Sequence, residues 1–142
     1  MTEFVASIAL SYRENWAICK RESLWGVPRG KNAEKAARIL DSGDSIFVWL
    51  SGGIQHGGGL AAWVQATGPA TSAGHAPWPD AARYAYTIPI TLIGELTHPI
   101  SDSFPNNGAS ERFGIQNMWV NWGFWHVPDI VSNRLKACFT TT

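Results

Sequence analysis

Two tryptophans stand where a tryptophan is costly to leave, in segments read as loops by their glycine and proline content. Trp25 lies in "ESLWGVPRG" (22–30) and Trp78 in "GHAPWPDA" (74–81). An indole face stacks on an unpaired nucleobase for ~1–3 kcal/mol, and two faces clamp it. Extruding a base from its stack costs a few kcal/mol, least where it is already unpaired. Stacking alone discriminates poorly between bases, so hydrogen bonds must supply the rest. The competing role for each ring is core packing. Phosphate chemistry has a matching local signal. From Arg13 to Arg38 there are seven basic residues against three acids, while the rest of the chain holds four and eight. Arg29, Lys31 and Lys35 follow Trp25 into a helix N-terminus, whose free N–H groups attract anions, and Lys20 and Arg21 precede it. A solvated helix face is the alternative reading of that charge.

Other chemistries are poorly represented. His56, His75, His98 and His126 share no metal-ligand spacing, and Cys19 and Cys138 have no CxxC or Cys/His partner. No metal or cofactor is expected, and both cysteines read as buried thiols of a reducing compartment. "SGGIQHGGG" lacks the lysine of a nucleotide-binding loop and reads as a hairpin tip, mobile through its five glycines.

The positioning elements follow from pattern. "NWAICKRES" (15–23) opens with apolar and aromatic residues and reads as a buried first strand. "KNAEKAARIL" (31–40) is a helix with Asn32 as N-cap, stopped by "DSGD". "SIFVWLSGG" (45–53) and "GGGLAAWVQATGP" (57–69) are strands of one hairpin. "TSAGHAPWPDAA" (71–82) is a loop, and "RYAYTIPITLIGEL" (83–96) a long strand whose Pro89 implies an edge or a bulge. "THPISDSFPNNGASERFG" is a second long loop with a turn at "NNG". Trp119, Trp122 and Trp125 recur at i, i+3, i+6 as one helical face, and "VPDIVSNRLKACF" is a final helix with Pro128 near its start. A chain of 142 residues, 45 % hydrophobic and 15 % charged, fits a single α+β domain over 1–142, mainly antiparallel strands in a barrel-like sheet flanked by short helices. No apolar run reaches the ~18–20 residues that cross a bilayer, and "FVASIAL" is too short for a signal peptide. A soluble, cytoplasmic protein without a membrane partner is expected.

The order of elements, with "SLWGVPRGKNAEKAARILDSGDSIFVWLS", "GGGLAAWVQATGP" and "APWPDAARYAYTIPITLIGEL", resembles the PUA-like superfamily, and within it the EVE domain and the related YTH domain, over residues 15–98. The resemblance implies a PUA-like mixed β-barrel. It further implies a non-enzymatic reader that flips a modified base into an aromatic cage. Trp25 and Trp78 would be the walls, the Gly26 backbone would meet the base, and Trp49 is a candidate third wall. Modified cytosine in DNA, 5-methylcytosine or 5-hydroxymethylcytosine, is favoured, with N6-methyladenine or another modified RNA base as the alternative. The partner would be nucleic acid, with an effector nuclease module on the same or another chain. "CKRES" stands where the family places its base-edge residues. An enzymatic alternative comes from the ASCH-like amidohydrolases, which use a lysine, a hydroxyl three residues on and a glutamate. Lys20, Ser23 and Glu95 would fill those roles on an acylated nucleoside. A third reading makes the C-terminal tryptophan cluster a protein-docking patch.

Overall fold

The computed structural model describes residues 2–105 and 108–139, so two of the three residues of the expected "NNG" turn lie outside the described residues. Strands β1 (Glu3–Ile8), β2 (Leu24–Pro28), β3 (Ser45–Leu50), β4 (Gly59–Ala66), β5 (Thr71–Ser72), β6 (Tyr84–Ile100) and β7 (Phe124–Val127) join in one sheet. Its order is β2-β6-β4-β3-β1-β7, with β5 beside β6. Every pairing is antiparallel except β1 with β3. Helices α1 (Asn15–Glu22), α2 (Lys31–Ile39), α3 (Asn117–Trp122) and α4 (Asp129–Ala137) flank it. The result is the expected α+β class, a strongly curled half-barrel with a few short helices.

Alternation along the strands divides the interior in two. Phe4 and Ala6 of β1, with Ile46 and Val48 of β3, enter one core with Trp16, Trp25, Trp78 and the alanine face of α2. Val5, Phe47 and Trp49 enter another with Phe113, Ile115, Val131 and Leu135. The long β6 serves two partners in turn. Its Pro89 pairs with Leu24 of β2 while Ile90 already pairs with Ala66 of β4, which places the proline at the change of partner.

Four expectations are corrected. Residues 15–23 form a helix, because Asn15, Trp16 and Cys19 make one buried stripe while Ala17, Lys20, Arg21 and Glu22 face solvent, a period of 3.6 rather than 2. The segment around Trp25 is strand β2, with Trp25 opposite Ile88 and Gly26 opposite Thr87. The first strand is therefore not 15–23 but β1, which overlaps "FVASIAL" and lies between β3 and β7. The three C-terminal tryptophans do not share a helix: α3 stops at Trp122, Gly123 adopts φ 88°, and Trp125 lies on β7. A Cβ on Gly123 would also lie 2.8 Å from Pro28 Cγ, so the turn into β7 needs glycine twice over.

Smaller differences concern caps and the hairpin tip. The N-cap of α2 is Gly30, not Asn32, because the Glu34 carboxylate reaches back and accepts the Gly30 N–H at 2.9 Å. The base of the β3–β4 hairpin tip is tied down, with the Arg13 guanidinium donating to the carbonyls of Ser51 (2.7 Å) and His56 (2.5 Å). The final helix starts where the sequence puts it, with Pro128 as its N-cap.

Candidate nucleic-acid interface

A cavity of about 400 Å³ opens where the end of β1, the first turn of α1, β2, the 78–84 segment and the α3–β7 turn converge. Trp25, Gly26, Trp78 and Arg29, all singled out from the sequence, line it. Gly26 makes the arrangement sterically possible: a Cβ there would lie 2.8 Å from Tyr84 Cδ1 and 2.9 Å from Trp78 Cζ3. The Trp78 and Tyr84 rings, their centroids 4.8 Å apart, pack against this bare stretch of backbone.

The polar chemistry of the cavity is unusual. Asn15, only 2 % exposed, donates through Nδ2 to Asp80 Oδ1 (2.8 Å) and to the Tyr84 hydroxyl (2.9 Å). Tyr84 donates to Asp80 Oδ2 (3.1 Å), and Arg83 pairs with the same oxygen (3.3 Å). Burial, reinforced by the Asp80 charge, pushes the Tyr84 phenol up to about 12, so it stays a donor at neutral pH. That network leaves Asn15 Oδ1 buried without a partner. The indole N–H groups of Trp25 and Trp78 are buried and unpaired too. Trp78 Nε1 sits by the Cys19 thiol, a weak acceptor, and makes no regular hydrogen bond. Burial pushes that thiol up to about 12 and keeps it neutral.

Trp16 on α1 and Trp63 on β4 differ from these two. Trp16 Nε1 donates to Glu95 Oε2 and Trp63 Nε1 to Ser45 Oγ, each at 3.0 Å. Buried polar groups are normally paired, and each exception costs ~1–3 kcal/mol. Here one acceptor and two donors remain unpaired on residues that line a single cavity, a mixed hydrogen-bonding set suited to the edge of a heteroaromatic base.

The rings themselves are less open than a free cage would be. Trp25 is 2 % and Trp78 3 % exposed, and Trp25 packs edge-on against Trp16 at 6.2 Å. The more open aromatic surface comes from Tyr12, Tyr84 and Trp122. Trp49 is not part of this cavity. It points to the opposite face of the sheet, against Phe104 and Phe113, because Phe47 and Trp49 alternate with Ile46 and Val48.

Of the five basic residues proposed for phosphate, only Arg29 lines the cavity; its Nε donates to the Ala82 carbonyl at 2.9 Å. Arg83, which the sequence reading passed over, joins it there, its guanidinium 4.2 Å from the centre of the Tyr12 ring. Lys31 and Lys35 are exposed on α2, and Arg21 pairs with Glu22. The Glu34 carboxylate occupies the α2 N-terminus, where a phosphate would have to bind. Asn15 also escaped the sequence reading, hidden by the strand assignment. A helical period through Asn15, Trp16 and Cys19 would have exposed it.

Lys20, Ser23 and Glu95 belong to another place. Lys20 and Ser23 border a recess of about 90 Å³, and Lys20 Nζ lies 2.9 Å from Glu95 Oε2. Burial works against the charge on Glu95, but the Lys20 and Trp16 donors outweigh it and hold the carboxyl below its ordinary value. One oxygen accepts from both donors, the arrangement of a half-exposed structural ion pair. Ser23 is the C-cap of α1, held at φ 51°.

No protein-family model and no curated protein sequence matches this chain. Solved structures do match in fold. A Pseudomonas putida protein superposes with a TM-score of 0.66 at 13 % identity, covering 95 % of this chain and 97 % of its own. A hypothetical protein from Leishmania major gives 0.64 at 8 %, covering 97 % and 94 %. The YTH domain-containing protein mmi1, solved in complex with RNA, gives 0.63 at 14 %, covering 96 % and 81 %. The chain therefore shares its fold with these structures, a YTH domain-containing protein among them.

Proposed function

We propose that this chain is a non-enzymatic reader that takes one unpaired, modified nucleobase of single-stranded RNA into the 400 Å³ cavity. The observation that carries the reading is the set of unpaired buried atoms, Asn15 Oδ1, Trp25 Nε1 and Trp78 Nε1, on residues that line that one cavity. A base edge offers an amino or imino N–H for Asn15 and ring nitrogens or carbonyls for the indoles. The partly open Tyr12 and Trp122 rings at its border offer stacking surface, and Arg29 and Arg83 supply charge for the backbone. The choice of RNA over DNA follows the fold comparison, since the YTH domain protein of this fold was solved with RNA. The preference for 5-methylcytosine in DNA gains no support from that comparison, so N6-methyladenine, 5-methylcytosine and 5-hydroxymethylcytosine stand side by side as ligands.

The test is binding of short single-stranded RNAs differing in one base, unmodified or carrying each modification, with DNA counterparts and at several salt concentrations. One modified base should be preferred roughly fivefold, the worth of about one buried methyl group. Two cations at the cavity should give a shallow salt slope, about −1.4 on logarithmic axes. Absence of RNA binding, or binding indifferent to Asn15→Ala, overturns the proposal.

A further inference from the structure

A second cavity, of about 230 Å³, lies next to the first and shares Ser51, Val120 and Asn121 with it. Trp49 lines it, packed edge-on with Phe104 at 6.0 Å. One wall is bare backbone from the glycines of the β3–β4 hairpin, and the facing wall is α3, which contributes Asn117 and Asn121 one turn apart. Among the described residues, no lysine or arginine lines it. Its one charged group is Asp102, whose carboxylate is fixed by the backbone N–H groups of Ser103, Arg112 and Phe113 at 2.9–3.1 Å.

These features select the occupant. A fixed carboxylate in a lining without lysine or arginine disfavours phosphate, and the nearby Arg13 guanidinium is already engaged by the Ser51 and His56 carbonyls, so the ligand portion held here is neutral. Aromatic edges opposite glycine backbone suit a flat group, and side-chain amides pair with the donor–acceptor edges of bases. The two cavities share Ser51, Val120 and Asn121 as a common border, so neighbouring nucleotides of one strand are placed to occupy both.

We propose that this second cavity holds the base of the neighbouring nucleotide, so that the chain reads two adjacent bases, with Asn117 as a specificity-determining residue for the second. The inference rests on the reading of the first cavity given above. It also gives Trp49 a place in recognition on the far side of the Val120–Asn121 wall rather than as a third wall of the first site.

The probes are N6-methyladenosine and 5-methylcytidine 5′-monophosphates, and the dinucleotides made by adding one unmodified adenosine to either side of each. Affinities are measured by chemical-shift titration against the full chain, Asn117→Ala and Asn117→Asp. The aspartate variant should fold well, because a carboxylate in the first turn of a helix is favourable. A dinucleotide should bind roughly 5- to 150-fold tighter than its monophosphate, the range expected for one added stacked base. Both variants should lose that gain while binding the monophosphate as before. A gain that survives in both variants, or no gain in the unmodified chain, overturns the second site and leaves the first standing. Failure of the monophosphates and dinucleotides alike overturns both.

Discussion

Gly26→Ala tests how tightly the first cavity is built. The added methyl would sit 2.8 Å from Tyr84 Cδ1 and 2.9 Å from Trp78 Cζ3, against an ordinary carbon–carbon separation of ~3.5–4.0 Å, a deficit of roughly 0.6–1.2 Å. Gly26 lies on β2, paired with Thr87, so the backbone has little freedom to retreat. Trp78 is 3 % exposed and backed by the core, which leaves the cavity as the space into which its ring can move. Overpacking of this kind costs ~1–3 kcal/mol, or roughly 3–10 °C in Tm for a domain of this size. The displaced ring also narrows the cavity, so RNA affinity should fall by about tenfold or more, as for the loss of one stacking contact. Thermal melts and RNA titrations of the purified variant read both effects. A melting temperature unchanged to within about a degree, together with unchanged binding, would refute the packing argument.

Other consequences follow from the same network. The Tyr84 phenol, held near 12 instead of 10, contributes stability below pH 10 that is lost as pH rises towards 12. Denaturation at the two pH values should show a loss of about 1–2 kcal/mol, lessened by the phenol's partial exposure, that Tyr84→Phe removes. Trp78→Phe should cost ~1–3 kcal/mol less stability than Trp16→Phe, because only the Trp16 N–H gives up a hydrogen bond; equal losses by chemical denaturation would contradict this. Asn15→Ala should lower stability by about 1–2 kcal/mol, since lost bonds to Asp80 and Tyr84 are partly offset by removal of an unpaired oxygen. In alkylation mapped by mass spectrometry, half-buried Cys138 should react in the native protein and Cys19 only on unfolding.

The sequence disclosed the fold class and half of the site, and the reasons differ by residue. Trp25 and Trp78 were legible because a bulky aromatic in a Pro/Gly-rich segment violates local expectation, Arg29 through the local surplus of basic residues, and Gly26 only through the family resemblance; all four line one cavity. Asn15 was hidden because "NWAIC" carries enough apolar residues to pass for a strand, and only its burial stripe reveals the helix. Arg83 and Tyr12 come close only in three dimensions, across 71 positions of sequence, so no local pattern pairs them. Trp49 shows the converse. Its strand is legible in "SIFVWLSGG", but which face of the sheet carries the cavity depends on where β1 and β2 join the sheet, and neither strand is evident from the sequence pattern. Lys31 and Lys35 looked like phosphate ligands on spacing alone, whereas the Glu34 cap is visible only once the helix start is fixed at Lys31.

The most direct measurement is the indole N–H region of a nitrogen–proton correlation spectrum during titration with single-stranded RNA carrying the preferred base, with Trp78→Phe and Trp25→Phe assigning the signals. Capture of a base by unpaired donors predicts that the Trp25 and Trp78 signals move downfield and exchange more slowly with water, while the already bonded Trp16 and Trp63 signals stay in place. Saturable RNA binding that leaves both of the first pair unmoved would contradict it.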